Sequence, residues 1–214
     1  MQRRTAKLTS SSHSFPLQFG LSVVTAPSVE PVDVDTAKRY LRVEVPVEDD
    51  LIGTFIESAR REVENKLDRS LINTTWRMTL DAFPDGNGPI LLPKVPVSTS
   101  SSNVSVTYDS SGVSTVWASS NYTVDYYSEP GRILPTYGNV WPSPRDVPNA
   151  VTVQFVAGYG ATADTVPAGI RAYMLRAIAE AFENREMAAV GTIVSPHTYV
   201  DGLLDPYRWT LGAS

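Results

Sequence analysis

A strand that runs directly into an amphipathic helix, between Asn149 and Met187, constrains the fold more than any other part of the chain. Apolar and polar residues alternate over residues 151–155, which is typical of a half-buried strand. Pro167 then opens a helix, because proline fits the first helical turn, where its missing N–H would be unpaired anyway. The apolar residues of this helix share one face: Ile170, Met174, Ala177, Ile178, Ala181 and Phe182. This layout predicts a structural scaffold in which a β-rich segment is followed by a helix that packs through its apolar face.

Two further helices are predicted in the N-terminal part of the chain. The first covers residues 36–43, and either Asp33 or Asp35 can cap it. The second covers about residues 48–69, where an acidic first turn and a basic last turn match the helix dipole at both ends. Its apolar stripe consists of Leu51, Ile52, Phe55, Ile56, Ala59, Val63 and Leu67.

The stretch between the helices alternates apolar and polar residues in several short runs, and therefore predicts strands joined by turns. The predicted fold class is α+β, in which two N-terminal helices and one long C-terminal helix form a small helical core with a large antiparallel β insert. The predicted organisation is an extended N-terminal arm at 1–30, N-terminal helices at 31–72, a β-rich insert at 73–160, the C-terminal helix at 161–192 and an extended C-terminal tail at 193–214.

The charge and composition of the chain limit the classes of partner. The net charge is −5, and residues 1–30 carry +2, so the remaining residues carry −7. An acidic body argues against a surface that grips phosphates, although DNA can pass nearby without being held. The absence of cysteine excludes disulfides, thiolate zinc sites and cysteine nucleophiles. No apolar run approaches the roughly 20 residues of a spanning helix, so no membrane partner is expected.

No pattern in the sequence predicts catalysis, so we expect no enzyme activity, no catalytic residue, no metal site and no cofactor. The two histidines, His13 and His197, lie in predicted tails without carboxylates at ligand spacing. The acidic run at 48–50 is better explained as a helix N-terminus than as a cation site. Residues 81–87 resemble a loose calcium loop that lacks its final glutamate.

Two tryptophans lie where no local core explains them. Trp141 sits among prolines and Trp209 sits in the tail, so both are predicted to contact a neighbouring molecule. The tail also carries large apolar side chains, which would gain no stability if they stayed in solvent, so we expect them to be buried against a neighbouring molecule. The alternative is that the tail folds back onto its own subunit. Trp117, Trp141 and the tyrosines could instead form a sugar-stacking platform, although aromatic residues on alternating strands are more often core.

Seven stretches of the sequence, in order and at consistent spacing, carry a family resemblance. They are residues 34–43, 49–72, 75–81, 128–133, 148–160, 183–186 and 190–192. Together they resemble the bacteriophage head–tail connector family (adaptor or head-completion proteins), which also occurs in prophages and gene-transfer particles. The resemblance covers about residues 32–210, and the arm at 1–30 goes beyond it.

The resemblance implies a structural protein of the virion neck, made in the host cytoplasm. Family members form a homo-oligomeric ring of about twelve copies under the portal protein. The ring extends the channel through which genomic DNA passes without specific binding, and it docks the stopper or tail-side protein. A stopper or tail terminator, and a carbohydrate-binding β module, remain alternative functions.

Candidate interface residues follow from the tail and from the polar faces of the helices. The resemblance implies that the C-terminal segment reaches the portal or an adjacent subunit through Leu203, Leu204, Tyr207, Arg208 and Trp209. The predicted ring contacts on the polar helix faces are Arg60, Arg61, Glu64, Arg176, Glu180 and Glu183. Trp141 is a further candidate for contact with a neighbour.

Overall fold

Helices and strands alternate in large blocks along the chain. The structure is a computed structural model, and it describes residues 19–44, 48–100, 103–183 and 202–208. The helices in these ranges are α1 (Val34–Leu41), α2 (Asp49–Leu67) and α3 (Ala168–Glu183). The strands are β1 (Phe19–Thr25), β2 (Thr74–Leu80), β3 (Ile90–Leu92), β4 (Val104–Ser110), β5 (Val113–Trp117), β6 (Tyr122–Asp125), β7 (Gly131–Pro135) and β8 (Val151–Ala157). The α+β prediction is confirmed. None of the described helices combines the length and apolar character needed to cross a membrane.

The ends of α1 and α2 lie within two residues of the predicted bounds, for identifiable reasons. The Asp33 carboxylate caps α1 by accepting a hydrogen bond from the Thr36 backbone N–H at 2.6 Å. This bond holds the pKa of Asp33 below its ordinary value. Arg42 and Asp68 adopt left-handed backbone conformations, with φ of 58° and 52°, and end α1 and α2.

The apolar stripes of α2 and α3 pack against each other and form the helical core. Most of the predicted stripe of α2 is buried, but Leu51 lies on its rim and is partly exposed. The buried residues of α3 are Ile170, Tyr173, Met174 and Ile178. Ala37 of α1 and Leu71 and Ile72 after α2 close the cluster. Burying a large aliphatic side chain contributes roughly 1.5–3 kcal/mol, so this seam is a major source of stability.

Five strands form an antiparallel sheet in the order β1-β2-β8-β4-β5. The central strand β8 buries Val151, Val153 and Phe155 and leaves Thr152 and Gln154 half-buried. Its predicted alternation is therefore confirmed. Strands β4 and β5, which follow each other in the chain, pair in antiparallel fashion as a hairpin. One face of this sheet is apolar, and we call it the inner face; the opposite, outer face carries mainly polar side chains.

A second antiparallel sheet, in the order β3-β7-β6, packs on the inner face of the first. Ile90, Leu92 and Ile133 from this sheet are fully buried in the same cluster as Val153 and Phe155. The β-rich insert therefore has its own core, separate from the core of the helices.

The described part of the predicted N-terminal arm joins the body of the protein. Residues 19–25 form β1, which pairs with β2 and places Leu21 opposite Met78. Leu21 is half-buried, whereas the other six residues of β1 are exposed. The N-terminal arm at 1–30 thus contains an edge strand of the sheet. The apolar residues of β1 pair with the apolar residues of β2, because both strands alternate with the same two-residue period.

Gly158 allows β8 to end close to the connection between α2 and β2. Its φ of 150° lies in a region that side chains disfavour, and an added Cβ would lie 2.5 Å from the backbone N of Asn73 and the backbone C of Ile72. Only glycine permits this approach of two backbone segments.

Candidate assembly interfaces

Trp141, one candidate contact, belongs to an aromatic cluster inside the protein. Its ring stacks on Phe83 with centroids 4.8 Å apart and lies 4.8 Å from the ring of Trp117. Its indole N–H donates a hydrogen bond to the Gly88 carbonyl at 2.9 Å. Only 9% of Trp141 is exposed, so the expectation that no local core explains it is wrong. The same burial makes Trp117 and Trp141 unsuitable as a platform for sugars.

The C-terminal segment at 202–208 packs on its own subunit. Leu204 is fully buried in the helical core, and Leu203 and Tyr207 are half-buried against it. The Tyr207 ring lies over Gly169 of α3, where an added Cβ would be 3.2 Å from the ring and its hydroxyl. Leu204 is therefore taken up by its own subunit, in agreement with the alternative in which the tail folds back. Contact of Leu203 and Tyr207, which keep part of their surface exposed, with a portal or an adjacent copy stays a prediction.

The remaining two tail candidates differ in position. Arg208 is exposed and forms an ion pair with Asp205 at 3.4 Å. Trp209 lies outside the described residues, as do His13 and His197.

Arg69, which the sequence suggested only as a helix-end residue, joins the helical core, the β insert and the tail. Its Nε donates to the Tyr207 carbonyl at 2.7 Å, and its Nη1 donates to the Glu129 carboxylate at 2.7 Å. Its Nη2 donates to the second Glu129 oxygen, which makes the pair bidentate. Burial alone would lower the pKa of Arg69, but Glu129 and Tyr159 hold it above its ordinary value. Partners that lie 60 and 138 residues away leave no local signal in the sequence.

Two of the predicted ring contacts form bonds inside the subunit. Arg60 is buried and donates to Glu30 at 2.8 Å and to Glu64 at 3.0 Å. Glu64 also accepts a hydrogen bond from the Leu71 backbone N–H at 3.0 Å. The placement of Arg60 on an outer polar face is therefore wrong, because Glu30 covers that side of α2.

The other four predicted ring contacts lie on the surface. Arg61 forms an exposed ion pair with Glu57 at 2.6 Å, one turn away on α2. Arg176, Glu180 and Glu183 are exposed along α3. An exposed pair such as Arg61–Glu57 contributes roughly 0–1 kcal/mol to stability, so Arg61 has little structural role in the isolated subunit.

Several large side chains that the sequence did not single out are exposed. Tyr127, in the loop between β6 and β7, is 91% exposed, and Tyr137, after β7, is fully exposed. Val113 and Val116 of β5 are also well exposed. Exposed apolar side chains in groups mark surfaces that contact other molecules.

Asp125 holds the loop that presents Tyr127. Its carboxylate accepts hydrogen bonds from the Ser128 hydroxyl at 2.7 Å and from Arg132 Nε at 2.9 Å. It also accepts from the backbone N–H groups of Tyr127 at 3.0 Å and Ser128 at 3.2 Å. The Ser128 hydroxyl, followed by Arg132 and the two backbone donors, lowers the pKa of Asp125 to about 2.

This hydrogen bonding predicts a pH-dependent contribution of Asp125 to stability. Because the folded pKa of about 2 lies below the ordinary 3.8, the contribution is complete above about pH 4 and is lost as the pH falls to about 2. We expect Asp125→Asn to lower the melting temperature at pH 7, and the difference from wild type to shrink between pH 4 and pH 2. Melting curves of both proteins across this range test it; a constant difference would contradict the assignment.

Three side chains of the stretches that suggested a cation site have partners within the chain. Asp81 accepts from the Asn149 N–H at 2.8 Å, and the Asn87 side-chain oxygen accepts from the Trp141 N–H at 3.1 Å. Asp49, in the acidic first turn of α2, pairs with Lys38 of α1 at 2.6 Å. Within the described ranges, no group of three or more His, Asp or Glu side chains is placed to hold a metal ion.

Comparison with solved structures identifies chains of the same fold. The chain resembles a chain from the neck of an empty gene transfer agent particle computed with C6 symmetry, with a TM-score of 0.69 and 22% identity over 89% of this chain and 96% of that one. A chain of the native gene transfer agent virion gives a TM-score of 0.69 and 22% identity, over 89% and 95%. A chain from the native neck computed with C12 symmetry gives 0.66 and 22%, over 89% and 96%. No protein-family profile and no curated protein matches the chain. At this identity the likeness establishes a shared fold.

Proposed function

We propose that this chain is a structural head–tail connector in the neck of a tailed phage or a phage-like particle. It forms a ring of about twelve copies beneath the portal, extends the DNA channel and docks the stopper or the tail-side protein. The observation that carries the proposal is the shared fold with chains from a particle neck, which extends over 96% of the neck chain. The C12 symmetry of one such neck favours the copy number.

The charge of the chain is compatible with a channel for DNA. Residues 1–18 contain Arg3, Arg4 and Lys7 and no carboxylate, so they carry a charge of +3. Since the net charge of the chain is −5, the remaining residues carry −8. Proteins that grip a duplex neutralise its phosphates with an excess of cations, whereas this body carries an excess of carboxylates. A negatively charged wall instead repels the phosphates and lets DNA slide through.

An image of particles from the organism that encodes the chain tests this function. We expect reconstructed particles to show the chain as a ring at the junction of head and tail, in direct contact with the portal. Disruption of its gene is expected to give DNA-filled heads without tails. Absence of the chain from purified particles would overturn the proposal. A layer of another protein between the chain and the portal would favour the stopper or tail terminator instead.

Arg176, exposed on α3, is proposed as a ring contact. Arg176→Glu should change the free energy of unfolding by no more than about 0.5 kcal/mol, because it alters an exposed position. It should nevertheless impair ring assembly, since charges at the rim of an interface fix its register. Urea unfolding and native mass spectrometry measure the two effects. Arg77→Glu, on the exposed outer face of the large sheet, is a control with the same change of net charge; an equal loss of assembly there would argue against a specific contact.

A further inference from the structure

One buried arginine holds two surface elements of the subunit. The first is the loop at 126–130 between β6 and β7, which we call the Tyr127 loop because it presents that almost fully exposed side chain. The second is the C-terminal segment, which packs on α3. Arg69, two residues after α2, donates to the Glu129 carboxylate of the loop and to the Tyr207 carbonyl of the segment. The two elements therefore meet at a single side chain, although they lie far apart in the sequence.

The shape of the guanidinium group makes these bonds depend on each other. Both Nη atoms of Arg69 donate to the two oxygens of Glu129, and Nε donates to the Tyr207 carbonyl at 2.7 Å. The group is planar and its donors have a fixed fork geometry, so the partner of Nε sets the plane in which both Nη atoms point. The backbone position of Tyr207 therefore sets how the guanidinium meets Glu129.

The burial of Arg69 makes the loss of one partner costly for the other. Arg69 is buried, and the side chain of Glu129 is only partly exposed. A buried donor or charge that loses its partner has little water to replace it. Tyr159 is a further partner of Arg69, but a phenol hydroxyl does not replace the charge of a carboxylate. Separation of either element from Arg69 is therefore expected to weaken the bond to the other.

Each element has an anchor at its start and meets Arg69 near its end. At the start of the Tyr127 loop, the Asp125 carboxylate accepts hydrogen bonds from the backbone N–H groups of Tyr127 and Ser128. Leu204 anchors the C-terminal segment in the helical core. The second anchor of both elements is Arg69, so a change there reaches the loop and the segment together.

We infer that Arg69 couples the C-terminal segment to the Tyr127 loop, so that displacement of one element from Arg69 loosens the other. Arg69 is thus a positioning residue for two separate surfaces. By linkage, a partner that holds the segment in place also holds the loop, and the reverse. In the proposed connector, contact of a neighbour with the C-terminal segment then changes how rigidly Tyr127 is presented. This last consequence rests on the proposed function, whereas the coupling is a property of the isolated subunit.

Hydrogen exchange of single backbone amides in the full-length chain tests the coupling in both directions. The loop reporters are the N–H groups of Tyr127 and Ser128, which bond to the Asp125 carboxylate. The segment reporters are the N–H groups of Tyr207 and Arg208, which bond to carbonyls within the segment. Because each pair bonds within or next to its own element, its exchange rate reports the local opening of that element.

One substitution in each element should change the reporters of the other. Glu129→Gln removes the charge and one acceptor oxygen from the partner of Arg69. We expect it to raise the exchange rate of the segment reporters at least about tenfold, although the substituted residue lies in the loop. Leu204→Ala loosens the segment and should likewise raise the exchange rate of the loop reporters.

Matched controls separate this coupling from a general loss of stability. Glu57→Gln makes the same chemical change in the exposed ion pair with Arg61, and it should leave the segment reporters unchanged. Ile56→Ala opens a cavity in the same helical core as Leu204→Ala, but about 20 Å from Arg69 along the helix. It should leave the loop reporters unchanged.

Arg69→Lys decides whether the coupling runs through the guanidinium, because lysine keeps the charge but lacks the fork of donors. In this background we expect Glu129→Gln to have no further effect on the segment reporters. An equal effect in both backgrounds would overturn the inference. If Arg69→Lys does not fold, the single variants still decide.

The single variants overturn the inference in two cases. One is a Glu129→Gln chain whose segment reporters exchange as in wild type, and the other is a set of loop reporters that respond equally to Ile56→Ala and Leu204→Ala. None of these measurements requires another virion protein. Failure of the coupling therefore leaves the proposed function standing, and absence of the chain from particles leaves the coupling standing.

Discussion

Replacement of Trp141 by alanine is expected to lower the free energy of unfolding by about 3–5 kcal/mol. The indole fills the space between Phe83 and Trp117, and both ring centroids lie 4.8 Å away. Its removal leaves a cavity in the core of the β insert, together with a Gly88 carbonyl that loses its donor. Urea unfolding followed by circular dichroism measures the loss without relying on tryptophan fluorescence.

The control for this prediction is another aromatic residue of the same loop. Tyr137 is fully exposed, so Tyr137→Ala should alter the free energy of unfolding by no more than about 0.5 kcal/mol. Trp141→Phe should be intermediate, because it keeps an aromatic ring against Phe83 but loses the hydrogen bond to Gly88. A loss of less than about 1 kcal/mol in Trp141→Ala would show that the cluster repacks and does not depend on the indole.

Trp141 also marks the limit of what local sequence patterns predict. The helices and the strands with clear alternation were predicted because a period of 3.6 or 2 residues is visible within one segment. Trp141 lies in an irregular, proline-rich connection without any period, and its partners Phe83 and Gly88 are more than 50 residues away. Burial in such a loop depends on the tertiary fold, which one segment cannot reveal.

Charged residues show the same limit. On α2, Arg61 pairs with Glu57 one turn away and is exposed, as expected for a polar helix face. The adjacent Arg60 has the same local signal but is buried, because Glu30, which precedes α1, folds over it. Arg69 is likewise determined by partners from the β insert and the tail. The surface available for assembly therefore depends on the tertiary fold, which decides which of these charged side chains stay exposed.

Truncation of the chain after Asp201 is expected to lower the free energy of unfolding of the subunit. The loss should be at least as large as that of a buried Leu→Ala substitution, which is roughly 2–5 kcal/mol. The truncation removes Leu204, which is fully buried in the helical core, and uncovers the surface on which Tyr207 packs. It also removes the carbonyl that accepts from Arg69 Nε, and an unsatisfied donor on a group that is 8% exposed adds about 1–3 kcal/mol. Leu204→Ala tests the apolar part of this loss alone, in the full-length chain.

Truncation after Arg208 is the matched control, because it keeps every described contact of the segment and removes only residues 209–214. We expect this shorter truncation to leave the free energy of unfolding within about 0.5 kcal/mol of wild type. Urea unfolding of both truncations, paired with a test of whether each joins DNA-filled heads, separates folding from docking. If the shorter truncation is stable but fails to join heads, Trp209 and its neighbours carry the docking role. If truncation after Asp201 leaves stability unchanged, the segment at 202–208 does not belong to the helical core, and its buried position would be contradicted.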